Sequence, residues 1–114
     1  MAYLKSFNGQ IMLKIEGNYI KEFNGQIKYK VNGNKVYDFY GKQLYTIEGE
    51  RVKDFYGKVL LVITYSQVKD FYGKTIATFD STYIKDFYGK ILYKVEGFLS
   101  RVEMMALLSV IFAS

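Results

Sequence analysis

The sequence predicts an all-β protein with one C-terminal helix: a twelve-strand antiparallel meander, closed into a barrel around that helix. Three observations lead there. A 16-residue repeat fills most of the chain, turn signals recur about every eight residues, and the last segment is apolar on every side. Fixed-period self-similarity dictates architecture before any local propensity does.

The hexapeptide Lys53-Asp54-Phe55-Tyr56-Gly57-Lys58 recurs letter for letter at 69–74 and 85–90. Near-copies lie at the same interval: Lys5-Ser6-Phe7-Asn8-Gly9-Gln10, Lys21-Glu22-Phe23-Asn24-Gly25-Gln26 and Tyr37-Asp38-Phe39-Tyr40-Gly41-Lys42. A further copy would begin at Arg101, where the pattern breaks. Asp-Phe-Tyr-Gly reads as a type I turn, with Asp at its first position and Gly at its fourth. A second turn follows half a period on, at Glu16-Gly17-Asn18, Asn32-Gly33-Asn34 and Glu48-Gly49-Glu50. In two copies it becomes Thr64-Tyr65-Ser66-Gln67 and Asp80-Ser81-Thr82. Strands joined so tightly must be antiparallel neighbours, because a parallel pair needs a long crossover.

The first predicted strand covers 2–6. The longer ones cover 10–15, 26–31, 42–47, 58–63, 74–79 and 90–95, and the shorter ones 19–22, 35–38, 51–54, 67–70 and 83–86. Proline is absent, which suits ladders in which every residue donates. Side chains alternate between faces. The longer strands turn in Ile11/Leu13/Ile15, Ile27/Tyr29/Val31, Val59/Leu61/Ile63 and Ile91/Tyr93/Val95. The shorter ones turn in Ile20, Val36, Val52, Val68 and Ile84, as the first strand turns in Leu4, with Lys next in every copy except Tyr37. A bulge at the turn glycine would instead turn in Met12, Leu44, Leu60, Ile76 and Leu92. That set also holds Lys28 and Lys30, so the unbulged register is preferred.

A helix is expected over 98–114, with Ser100 and Glu103 as a capping box. From Met104 its apolar residues surround the axis, and such a helix is buried on all sides or lies in a membrane. Met104–Ala113 is too short for the ~20 residues of a membrane span. It needs a closed apolar container, which a large barrel supplies. The whole is one domain, 1–114, with 2–96 as meander and 98–114 as buried helix.

Twelve meandering strands around a C-terminal hydrophobic helix resembles the tubby-like barrel of tubby proteins, phospholipid scramblases and LURP-one-related proteins. The unit Val52-x-Asp54-x-x-Gly57-x-x-Leu60 is similar to the strand–turn unit of the LURP-one and scramblase branch. The resemblance implies a closed barrel and a role at membranes. It transfers no binding residue, because tubby's phosphoinositide-binding positions have no counterpart that can be placed here.

The 114-residue chain has no Cys and no His, which removes the commonest nucleophile, general base and metal ligands. Net charge is +5, so anionic partners are admissible, although the lysines are spread through the repeats in sequence. Asp38, Asp54, Asp70 and Asp86 are expected to be turn-formers rather than a calcium ring. Phe39-Tyr40, Phe55-Tyr56, Phe71-Tyr72 and Phe87-Tyr88 gather at one barrel end, where Phe is expected to plug the opening and Tyr to meet water. Lys21, Lys53, Lys69 and Lys85, with Lys14, Lys30 and Lys94, form an outward basic surface. The reading is a non-enzymatic binding or scaffold module without a cofactor, cytoplasmic and peripheral to a membrane. Its Phe-Tyr ring and Lys face would engage anionic phospholipid headgroups. Specific nucleic-acid binding is not expected, and a homo-oligomer is open. The rival is an open structural meander that self-associates through Leu44, Leu60, Ile76 and Leu92.

Overall fold

A computed structural model describes residues 1–113. Its strands are β1 (Ala2–Ser6), β2 (Ile11–Glu16), β3 (Tyr19–Glu22), β4 (Ile27–Asn32), β5 (Lys35–Asp38), β6 (Gln43–Glu48), β7 (Arg51–Asp54), β8 (Val59–Ile63), β9 (Gln67–Asp70), β10 (Thr75–Phe79), β11 (Tyr83–Asp86) and β12 (Ile91–Glu96). Each pairs with its sequence neighbours, and β12 pairs with β1 to close the barrel. The closing register runs from Tyr3 opposite Glu96 to Ser6 opposite Tyr93. The rival open sheet is thereby corrected, since no edge strand remains among the described residues. The body is wide and short, 35 × 33 × 20 Å, as strands of four to six residues require.

Two turn chemistries alternate. At one end each loop carries a β-turn and a left-handed glycine, as between Asp54 and Gly57, whose N–H donates to the Asp54 carbonyl at 3.1 Å. One carboxylate oxygen of Asp54 accepts from the amides of Tyr56 and Lys58, both at 2.9 Å. Asp38, Asp70 and Asp86 repeat this. The repeated Asp is a turn-former, as expected. In the second copy, where Glu22 replaces Asp, Asn24 supplies the acceptor, taking the Gln26 amide at 3.1 Å. At the opposite end, two-residue loops place Gly17, Gly33 and Gly49 at positive φ, in the first central position of a type II′ hairpin turn. The two glycine-free loops use side chains instead. Asp80 accepts from Thr82 and Tyr83, and those amides hold its carboxyl below the usual range.

Asp70→Asn is expected to keep most of the stability, because the amide oxygen makes the same turn contacts. Asp70→Ala should cost about 1 kcal/mol. Thermal melts of the two variants check this, and equal losses would show that the turn bonds do not matter.

The register departs from the preferred one. All six longer strands carry a bulge after the loop, at positions 12, 28, 44, 60, 76 and 92. Ile11, Ile27, Val59 and Ile91, expected inside, pair with the outward Lys5, Lys21, Lys53 and Lys85 and lie on the outer wall. Beyond the bulge the expected phase returns, with Ile15, Leu61, Ile63 and Val95 buried. Leu44, Leu60 and Ile76 also pack against the core. Of the two lysines that argued against a bulge, Lys30 lies past it in the outward phase, and Lys28 fits because it lies at the barrel mouth. There it lines a recess with Met12, Val110 and Ile111, beside the helix C-terminus, where a cation is favoured.

The helix α1 (Arg101–Phe112) occupies the interior, with Met104–Val110 buried. It starts three residues later than expected, since Phe98 is exposed and Ser100 is the N-cap. Ser114 lies outside the described residues. The capping box is present: the Ser100 hydroxyl accepts from the Glu103 amide, and Glu103 accepts from the Ser100 amide. The buried hydroxyl of Ser109 donates to the Met105 carbonyl at 2.7 Å, so it leaves no unmet polar group. Arg101 fixes the helix start to the barrel. It donates to the carbonyls of Ile63 and Thr64 at 2.9 Å and lies over the Tyr65 ring. Its partner is one of the two loops that lost glycine.

Candidate functional surface

The alternating loops segregate. All six Phe-containing loops lie at one end of the barrel, opposite the end where the helix enters. In four of them the rings of adjacent Phe and Tyr meet edge to face, with centroids 5.3–5.4 Å apart. Such pairs add to stability beyond buried area. The expected plug is not formed. Phe55 is 62% exposed and Tyr56 90%, and Phe39, Tyr40, Phe71, Tyr72, Phe87 and Tyr88 match them. The reason is geometric. The loop tips extend past the barrel, and the mouth is already filled by Ile111, Phe112, Leu44, Leu60 and Ile76. Phe7 and Phe23 complete a crown of ten exposed aromatic side chains. These exposed rings are a candidate interaction surface.

Below the crown, the outer wall carries Lys53, Lys69 and Lys85 as expected, each half-buried by its neighbours. Lys53 forms an ion pair with Glu48, Lys5 with Glu96 at 2.6 Å, and Lys21 with Glu16 at 2.7 Å. Each lysine holds its glutamate below the usual carboxylate range by hydrogen bonding and charge. Exposed pairs of this kind add little stability.

Lys14, Lys30 and Lys94 stand level with these lysines on the longer strands. The equivalent residues of β6, β8 and β10 are Thr46, Val62 and Thr78. In sequence the three lysines are far apart, and only closure joins repeat six to repeat one. Sequence reading therefore put all of these lysines on one outward surface but did not see that closure crowds those of the first and last repeats together. A lysine-covered wall is also unlike the apolar outer band of a membrane-spanning barrel. Among the described residues, no helix is long and apolar enough to cross a membrane. No group of three or more acidic residues able to hold a metal ion occurs among them either. Comparison with family models, with curated proteins and with solved structures found no match.

Proposed function

We propose that the chain is a non-enzymatic binding module that docks on anionic phospholipid headgroups, peripheral to the cytoplasmic face of a membrane. The observation that carries this reading is the exposed aromatic crown beside a lysine-bearing wall. Tyr and Phe rings settle at headgroup depth, while lysines approach the phosphates. Kinship with the tubby-like barrels is part of the proposal. The twelve-strand closed meander around a helix supports it, although a shared fold carries no function by itself.

Sedimentation with vesicles tests the reading. Binding to phosphatidylcholine vesicles containing phosphatidylserine is expected at low salt, and it should weaken as the Debye length shrinks. Pure phosphatidylcholine should bind far less. No binding to the anionic vesicles at low salt would contradict the proposal.

A second reading has its own observation. The exposed rings of the crown are also surface that the crown of a second copy would cover. Sedimentation velocity without lipid separates the two, with a monomer expected on the lipid reading.

A further inference from the structure

Barrel closure brings level a lysine from each of six adjacent strands: Lys85 on β11, Lys94 on β12, Lys5 on β1, Lys14 on β2, Lys21 on β3 and Lys30 on β4. Two pairs stand directly opposite each other across the ladder, Lys5 with Lys94 and Lys14 with Lys21. Like charges in that position oppose folding. Glu96 and Glu16 offset one lysine of each pair, while Lys14, Lys30, Lys85 and Lys94 have no carboxylate within ion-pair distance among the described residues. The other half of the wall is different. There Lys53 faces Thr46 and Lys69 faces Val62, so its lysines alternate with neutral residues, and at the border of the sector Lys85 faces Thr78.

The same half carries an apolar row. The bulges turn Ile91, Ile11 and Ile27 outward, each directly opposite a lysine of the arc (Lys85, Lys5 and Lys21). Beyond this row, at the rim, stand Phe87, Phe7 and Phe23, and Phe7 and Phe23 are the most exposed phenylalanines of the crown. Charge, aliphatic row and aromatic rim thus follow one another three times on the seam side, and once on the far half, through Lys53, Val59 and Phe55.

We infer that the sector from β11 through β12 and β1 to β4 is the docking face for an anionic bilayer, so that the barrel lies tilted with its seam toward the lipid. The inference rests on the proposed headgroup binding and specifies which face does it. The isoleucine row decides the occupant. A nucleic-acid backbone would satisfy the lysines but leave Ile11, Ile27 and Ile91 in water. A bilayer takes phosphates against the lysines and accepts the isoleucines and phenylalanines at its interface. The directly opposed lysines are also relieved when anionic lipid lies over them.

The test compares two triple variants of equal charge. One is Lys14→Gln, Lys30→Gln and Lys94→Gln in the sector. The other is Arg51→Gln, Lys58→Gln and Lys74→Gln on the far half. Partition onto phosphatidylserine-containing vesicles should fall about a hundredfold for the first, roughly fivefold per lysine. The second should lose much less. Melting curves serve as the folding control, and the first variant should melt no lower than the parent because it removes like-charge pairs. Equal losses in the two variants would overturn the sector while leaving headgroup binding intact. A parent that fails to bind would overturn headgroup binding itself. A third variant, Ile11→Ser, Ile27→Ser and Ile91→Ser, should bind vesicles more weakly yet keep any affinity for a poly(U) strand. Parent binding to poly(U) in preference to vesicles would overturn the choice of a bilayer.

Discussion

Leu108→Asp is expected to abolish folding. Leu108 has no solvent exposure and lies in the middle of α1, with Leu107 and Ser109 equally buried beside it. The barrel is closed around it, so the carboxylate has no route to water and, among the described residues, no buried cation to meet. An unpaired polar group in such a site costs several kcal/mol, and a charge costs more or is forced to protonate. Typical domain stability is only about 5–15 kcal/mol. Leu108→Ala should instead cost roughly 3 kcal/mol as a cavity and still fold. Circular dichroism melts of both variants check this. A cooperative transition for Leu108→Asp near the parent temperature would mean that the helix does not fill the barrel.

The second large effect belongs to the seam. Gly97 follows β12 with φ of +95°, a region that side chains rarely adopt. A Cβ there would lie 2.5 Å from the Met1 carbonyl oxygen and 3.0 Å from the Ala2 Cα. Both neighbours are backbone, so neither can swing away as a flexible side chain would. Gly97→Ala should therefore cost about 3 kcal/mol and act through the β1–β12 closure. Gly57→Ala isolates the contribution of φ, since Gly57 has φ of +88° but nothing within 4 Å of the added carbon. Denaturant titrations of the two variants should show the larger loss at Gly97. Equal losses would show that the close approach adds nothing to the cost of φ.

Much of this architecture was legible because the repeat is nearly exact. Turn residues at fixed phase gave the strand number and the antiparallel order, and the apolar tail could be satisfied only by a closed container. Local chemistry was equally readable in the Asp-Phe-Tyr-Gly loops and the Ser100–Glu103 box. The bulges were harder. A bulge changes the face of one or two residues per strand, and Ile11 and Met12 are both apolar, so periodicity does not choose between them. Lys28 pointed the wrong way because its place at the rim of the mouth depends on where the helix ends. The phenylalanines were misplaced for the same reason. Whether the mouth had room for them depended on α1 and on Leu44, Leu60 and Ile76 filling it. The lysine sector was the least legible feature. Lys94 lies opposite Lys5 only because the barrel closes, and a pattern read along the chain cannot register a contact between its first and last strands.

Closure is thus the claim on which the interior helix and the lysine sector both depend. Interproton NOEs across the seam of the protein in solution test it most directly. The account requires cross-strand contacts from Tyr3–Glu96 through Leu4–Val95 and Lys5–Lys94 to Ser6–Tyr93, as strong as those of the β2–β3 ladder. Strong NOEs within β2–β3 with none between β1 and β12 would contradict it, leaving an open meander whose terminal lysines never meet.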